Sequence, residues 1–289
     1  MVFTRIGFYK GKSYAIKRLK TEKVEVTRSL KKDLKVLRDL KHENINQFIG
    51  ASLDFDCVCI VSDYSPRGSL SDILNNNEMK MDEMFIASLV FDIIRGIIYL
   101  HDSSIGFHGN LKTNNCLVDS RWILKLTDFG HQAFPTEWPD YHGFLSQERL
   151  NEEIWENLLH RAPELLRSTI GFSEFTTTNL QKADAYSFSI IFYKLKTKPN
   201  HSTFGNTSLP PSQIISRLIE YDVNAEDTKP FRPRLETLPD DCGDWIKNIL
   251  RDAWSENPNE RPDFKVLTYS TIHNLYVGIL YINCVLLKK

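Results

Sequence analysis

The stretch from Met84 to Leu100 constrains most of what this chain can become. Phe85, Leu89, Ile93, Ile94, Ile97 and Leu100 set apolar side chains on more than one face of a helix. A helix that is apolar on several faces has to be surrounded by protein. The spacing therefore predicts a central buried helix, and Ala183 to Leu195 and Cys242 to Trp254 carry the periodicity of two helices to pack near it. Upstream the pattern changes. Ser13 to Leu19 and Cys57 to Tyr64 are short β-type runs, and between them Leu30, Leu34 and Leu37 recur at helical spacing. Pro66-Arg67-Gly68 marks the change of regime. Cys116 to Leu126 reads as a strand-rich interruption of the helical part. His131 to Asn157, polar and weakly periodic with two prolines, reads as a long surface loop.

Composition narrows the class. With 42% hydrophobic and 25% charged residues and a net charge of −1, the chain has the balance of an ordinary globular protein. Nothing in that charge supplies the basic footprint of a nucleic-acid binder, so no nucleic acid is expected. The 5 cysteines are odd in number and scattered, which predicts reduced thiols rather than a disulfide framework. Cys57 and Cys59 alternate on one strand face and read as core, since two ligands without a second pair make a poor zinc site. Met1 to Tyr9 lacks the apolar stretch of a signal peptide. Leu275 to Leu287 is nearly all apolar but shorter than the roughly 20 residues that span a bilayer, so a buried or misplaced terminal segment is expected, with a tail anchor as the alternative. The sequons at Asn200 and Asn206 are expected to be unused.

Short motifs then follow one another in a particular order. Ala15-Ile16-Lys17 ends a strand. His108-Gly109-Asn110-Leu111-Lys112-Thr113-Asn114-Asn115 comes later, followed by Asp128-Phe129-Gly130, Ala162-Pro163-Glu164 and Arg261-Pro262. In that order and at those separations the set resembles protein kinases. The stretches Leu37 to Asn46, Phe48 to Ala51, Tyr64 to Leu74 and His101 to Lys112 resemble more narrowly the kinase-homology domain of receptor guanylate cyclases of the natriuretic-peptide-receptor type. The resemblance covers about Gly7 to Leu267. It implies an α+β, bilobal protein-kinase-like fold: a small N-terminal antiparallel sheet with one helix over 1–65, a larger mostly helical lobe over 66–267, and an apolar tail over 268–289. The first strand and the glycine-rich loop are largely missing, which leaves the small sheet an unpaired edge.

The same resemblance implies roles. Lys17 would hold the ATP phosphates, fixed by a helix carboxylate at Asp33, where kinases carry glutamate. Aspartate is one methylene shorter, roughly 1.5 Å of reach. Asn115 and Asp128 would hold Mg2+ on the phosphates. The backbone of Asp63 and Ser65 would meet the adenine, with Ser62 gating the pocket behind, and Lys112 would complete the ATP-binding set. His108, Asp184 and Trp254 would brace the structure, and Glu164 would pair with Arg261. No catalytic residue is expected. Asn110 stands where kinases place the aspartate that takes the acceptor proton, and an amide has no useful basicity at neutral pH. Gly109 replaces the arginine that receives a loop phosphate.

The expectation is thus an ATP-binding regulatory pseudokinase of cGMP signalling, with ATP and Mg2+ as weak cofactors. A working protein kinase is not expected. Full-length relatives would add a guanylate cyclase domain, sit on the cytoplasmic side of the plasma membrane and homodimerise. The chain itself reads as soluble or peripheral, and as a truncated product without the cyclase. A residually active kinase and an inert scaffold without a nucleotide site are the alternatives.

Overall fold

The computed structural model describes residues 5–18, 25–54, 57–76, 78–129, 152–168, 174–197, 204, 208–221 and 229–271. The small lobe is built on a hairpin. β1 (Arg5–Tyr9) and β2 (Lys12–Arg18) pair antiparallel from Arg5↔Ile16 to Tyr9↔Lys12. Lys10 and Gly11 close the turn at φ 49° and 77°, the two left-handed positions that a tight hairpin favours. α1 (Arg28–Asp39) follows, capped at Thr27, whose hydroxyl accepts from Leu30 N at 3.1 Å. β3 (Phe48–Asp54) and β4 (Cys57–Asp63) complete a sheet of order β1-β2-β4-β3. Leu30 and Leu37, two of the three leucines singled out in the sequence, are buried. Among the described residues no strand covers the outer edge of β1, where Phe8 and Tyr9 are 80% and 63% exposed.

The large lobe is organised round the predicted central helix. α2 (Leu70–Leu74) starts at a reciprocal cap between Ser69 and Asp72. α3 (Glu83–Asp102) starts at Asp82, whose carboxylate accepts from Phe85 N at 2.7 Å. Leu89, Ile93, Ile94, Ile97 and Leu100 of α3 are wholly buried. By length and composition α3 could cross a membrane, but these side chains are enclosed by the core of this lobe. β5 (Cys116–Val118) and β6 (Leu124–Leu126) form the predicted strand-rich patch as a small hairpin. The helices α4 (Glu152–Leu158), α5 (Pro163–Arg167), α6 (Thr177–Thr197), α7 (Pro211–Glu220), α8 (Asp244–Ala253) and α9 (264–271) follow. α6 packs on both α3 and α8, and α4 packs on α7.

The structure corrects one expectation. The loop read over His131 to Asn157 ends in a helix, because α4 begins at Glu152. Ile154, Trp155 and Leu158 fall at helical spacing, with Leu158 buried and Trp155 packed against the core. That short apolar stripe was hidden by the polar residues before it. Residues 130–151, the tail from 272 and the sequons at Asn200 and Asn206 lie outside the described residues. Cys59, Cys116 and Cys242 are buried free thiols, and burial pushes the Cys116 thiol up.

Candidate nucleotide site

The sheet and the β5–β6 hairpin bring the separated motifs together. Lys17 projects from β2, and Asp128 follows β6. Lys17 Nζ lies 2.5 Å from Asp128 Oδ2, with side chains 35% and 27% exposed. The backbone ahead of Asp128 is stitched down on two sides. Leu126 N donates to Asn44 O at 2.9 Å, and Asn46 N to Leu126 O at 2.8 Å. Thr127 N donates to Asn115 O at 3.0 Å. Asp128 itself sits at φ 59°, a left-handed conformation that aspartate tolerates better than most side chains.

The expected partner of Lys17 is not the one it takes. Asp33 lies on α1, partly buried, and among the described residues it makes no ion pair. Lys17 turns to Asp128 instead. The 2.5 Å contact with Asp128 already engages the ammonium.

The loop that carries Asn110 is held from beneath. Asp184, on α6 and 1% exposed, accepts from His108 N at 2.7 Å and from Gly109 N at 2.9 Å. His101 Nε2 lies 2.9 Å from the same carboxylate. His108 is buried and meets Phe129 edge-on, ring centroids 6.0 Å apart. Gly109 sits at φ 77°, where a Cβ would be strained by about 1–2 kcal/mol. Asn115 Nδ2 donates to Asn110 O at 2.7 Å, which leaves Asn115 Oδ1 as its atom for a ligand. His101 escaped the sequence reading. Its only signal there was a polar residue in the last turn of an apolar helix.

Asp128 and Asn115 thus offer the oxygen types that magnesium takes, but the one carboxylate is already ion-paired. Lys112, three residues before Asn115, is partly buried. Desolvation lowers its pKa, as does the charge of Lys17, while Asp128 and then Glu153 oppose the shift. At the end expected to meet adenine, Ser62 faces Ala15 across the β2–β4 ladder and Asp63 faces Tyr14. Lys12 Nζ bonds Asp63 Oδ1 at 2.8 Å, a contact that sequence reasoning missed. Ser65 is buried, and its carbonyl accepts from Gly68 N at 3.2 Å.

The remaining structural residues lie below. Arg261, 1% exposed, donates to Glu164 through both terminal nitrogens at 2.7 and 2.8 Å. Its Nε donates to Ser255 O at 2.8 Å. Trp254 is buried, its ring centroid 5.8 Å from that of Tyr193. Between α4 and α5 lies His160, 3% exposed.

Comparison with known proteins agrees with this geometry. The sequence profile described as protein tyrosine and serine/threonine kinase matches residues 7–270. Receptor-type guanylate cyclase Gyc76C of Drosophila melanogaster is 40% identical over 272 residues, a match covering 91% of this chain and 16% of that protein. The Resact receptor of Arbacia punctulata is 36% identical over 262 residues, covering 91% of this chain and 25% of the receptor. Atrial natriuretic peptide receptor 2 of Rattus norvegicus is 36% identical over 265 residues, covering 91% of this chain and 23% of the receptor. The chain therefore spans a quarter or less of these relatives' length.

Proposed function

Given that this chain belongs to the protein tyrosine and serine/threonine kinase family, as a kinase-homology domain of the receptor guanylate cyclase kind, we propose that it binds ATP and regulates, and does not transfer phosphate. One observation carries the reading. Asn110 stands where the resemblance to kinases puts the proton acceptor, in a loop whose backbone is gripped by Asp184 and tied to Asn115. Removing a general base typically costs about 10²- to 10⁴-fold in rate. The loop can present an acceptor hydroxyl to a phosphate, but nothing at position 110 takes its proton.

Binding needs less than chemistry does. Lys17 and Lys112 supply positive charge for the phosphates, and the strand end at Asp63 to Ser65 supplies backbone groups for the adenine edge. Magnesium, when bound, would screen phosphate charge, with Asn115 and Asp128 as the residues that would hold it. Because the relatives are named as receptors and guanylate cyclases, the proposal extends to cGMP signalling. In a longer protein the domain would pass a receptor signal to a cyclase unit on the inner side of the membrane, as part of a homodimer.

The test uses the purified chain. ATP at millimolar concentration is expected to raise the melting temperature. Transfer of the γ-phosphate to generic protein substrates is expected to match that of Asp128→Ala. Turnover at kinase speed, roughly 1–100 s⁻¹, silenced in Asp128→Ala, would overturn the reading. Absence of any ATP-induced shift would leave a scaffold without a nucleotide site.

A further inference from the structure

The β1–β2 hairpin carries a pattern that the nucleotide site does not use. β4 stops opposite Tyr14, so the hairpin from Phe8 to Ser13 overhangs the sheet that holds it. Exposed apolar side chains scattered singly are ordinary on a protein surface. Here three of them crowd one 5-residue strand: Ile6, Phe8 and Tyr9 are 46%, 80% and 63% exposed. Phe8 and Tyr9 are neighbours in a strand, so the tip offers an aromatic ring on each face. Charge is one-sided as well. Residues 5–18 contain Arg5, Lys10, Lys12, Lys17 and Arg18 and no aspartate or glutamate. Lys12 is matched by Asp63 and Lys17 by Asp128, whereas among the described residues Arg5 and Lys10 make no ion pair. Lys10 Nζ lies 5.3 Å from the centre of the Tyr9 ring, so cation and ring face solvent together.

We propose that this hairpin tip docks on an anionic lipid surface, with Phe8 and Tyr9 entering the headgroup layer and Arg5 and Lys10 meeting the lipid charges. Docking of this kind goes beyond the nucleotide binding proposed above and does not depend on it. Tyrosine settles at the membrane–water boundary, where its ring is buried and its hydroxyl stays wet. Phenylalanine flanked by lysine and arginine is the pairing that interfacial segments use. Each basic side chain near an anionic leaflet adds about fivefold in affinity. The shape selects the same partner. A projecting turn meets a flat surface end-on. A peptide strand added along the edge of β1 would bond through main chain and leave the overhanging rings in water. A single-stranded nucleic acid is held along a basic groove, and a two-residue turn offers none.

Flotation of the purified whole chain with lipid vesicles tests this. The chain is expected to float with vesicles of phosphatidylserine and phosphatidylcholine in equal parts, and far less with phosphatidylcholine alone. Raising the salt to about 1 M, where the Debye length is about 3 Å, is expected to weaken the binding. Phe8→Ser is expected to cost about tenfold in partitioning, and Arg5→Gln combined with Lys10→Gln about 25-fold. These side chains stand in solvent, so both proteins are expected to keep the parent's melting temperature. Partitioning of either one equal to the parent's would overturn the proposal, because lipid would then be held elsewhere on the chain. Failure of the parent to float with phosphatidylserine would overturn it too. Binding of a single-stranded oligonucleotide that Phe8→Ser abolishes, with no flotation on vesicles, would assign the tip to nucleic acid instead.

Discussion

His160 shows how one side chain can set the acid limit of a fold. It is buried, and burial, aided by the charges of Lys194 and Lys112 and opposed by the backbone of Asn157 and Glu156, pulls its pKa from 6.5 down to about 3. The folded state keeps it neutral, while the unfolded chain takes up a proton below 6.5. Its contribution is therefore fully present above that pH and is lost as pH falls toward the folded value. The slope reaches about 1.4 kcal/mol per pH unit in that window. His160→Leu fills similar space without the nitrogens. Its melting temperature is expected to fall less than that of the parent chain between about pH 7.5 and about pH 5.5. Equal falls in the two proteins would show that other groups set the acid limit. Nothing in the sequence marked His160. A histidine beside Ala162-Pro163-Glu164 belongs to no motif and no apolar stripe that would place it inside the fold. Asn110 could be singled out for the opposite reason: the role proposed for it rests on a residue type at a fixed motif position, which needs no packing to be read.

At the scale of elements, the site depends on how closely α3 approaches β6. Gly96 makes that approach possible. A Cβ there would stand 2.8 Å from Asn44 O and 2.8 Å from Leu126 Cδ1. Asn44 and Leu126 are hydrogen-bonded to each other two residues before Asp128. Gly96→Ala gains about 1 kcal/mol in helix propensity against about 1–3 kcal/mol of overpacking. The denaturant midpoint is expected to fall, and ATP affinity with it, since the displaced backbone carries Asp128. A variant with lower stability but unchanged affinity would show that the hairpin absorbs the shift before it reaches the site. Periodicity made α1, α3, α6 and α8 legible, and alternation made β2 and β4 so. The partner of Lys17 was not legible. Which of Asp33 and Asp128 meets the ammonium depends on how α1 and the segment after β6 stand against β2 in space, and spacing along a chain carries no such distance.

Across the whole molecule, the Glu164–Arg261 pair joins segments 97 positions apart. Arg261 fills a buried slot and serves Glu164 and the Ser255 carbonyl together. Glu164→Ala leaves that guanidinium without its carboxylate and is expected to cost about 3–5 kcal/mol, read from urea unfolding. A loss below about 1 kcal/mol would mean that the pair behaves like a surface one. The grip of Asp184 on the catalytic loop has a different reach. It holds the main-chain N–H groups of His108 and Gly109, which any residue except proline carries, so this grip does not read the side chains of the loop. Glycine at 109 even relaxes a bend that any bulkier residue would have to endure. A change of the residue at the proton-acceptor position therefore leaves this grip in place, and a stable, well-shaped loop of this kind says little about whether its owner still works as an enzyme.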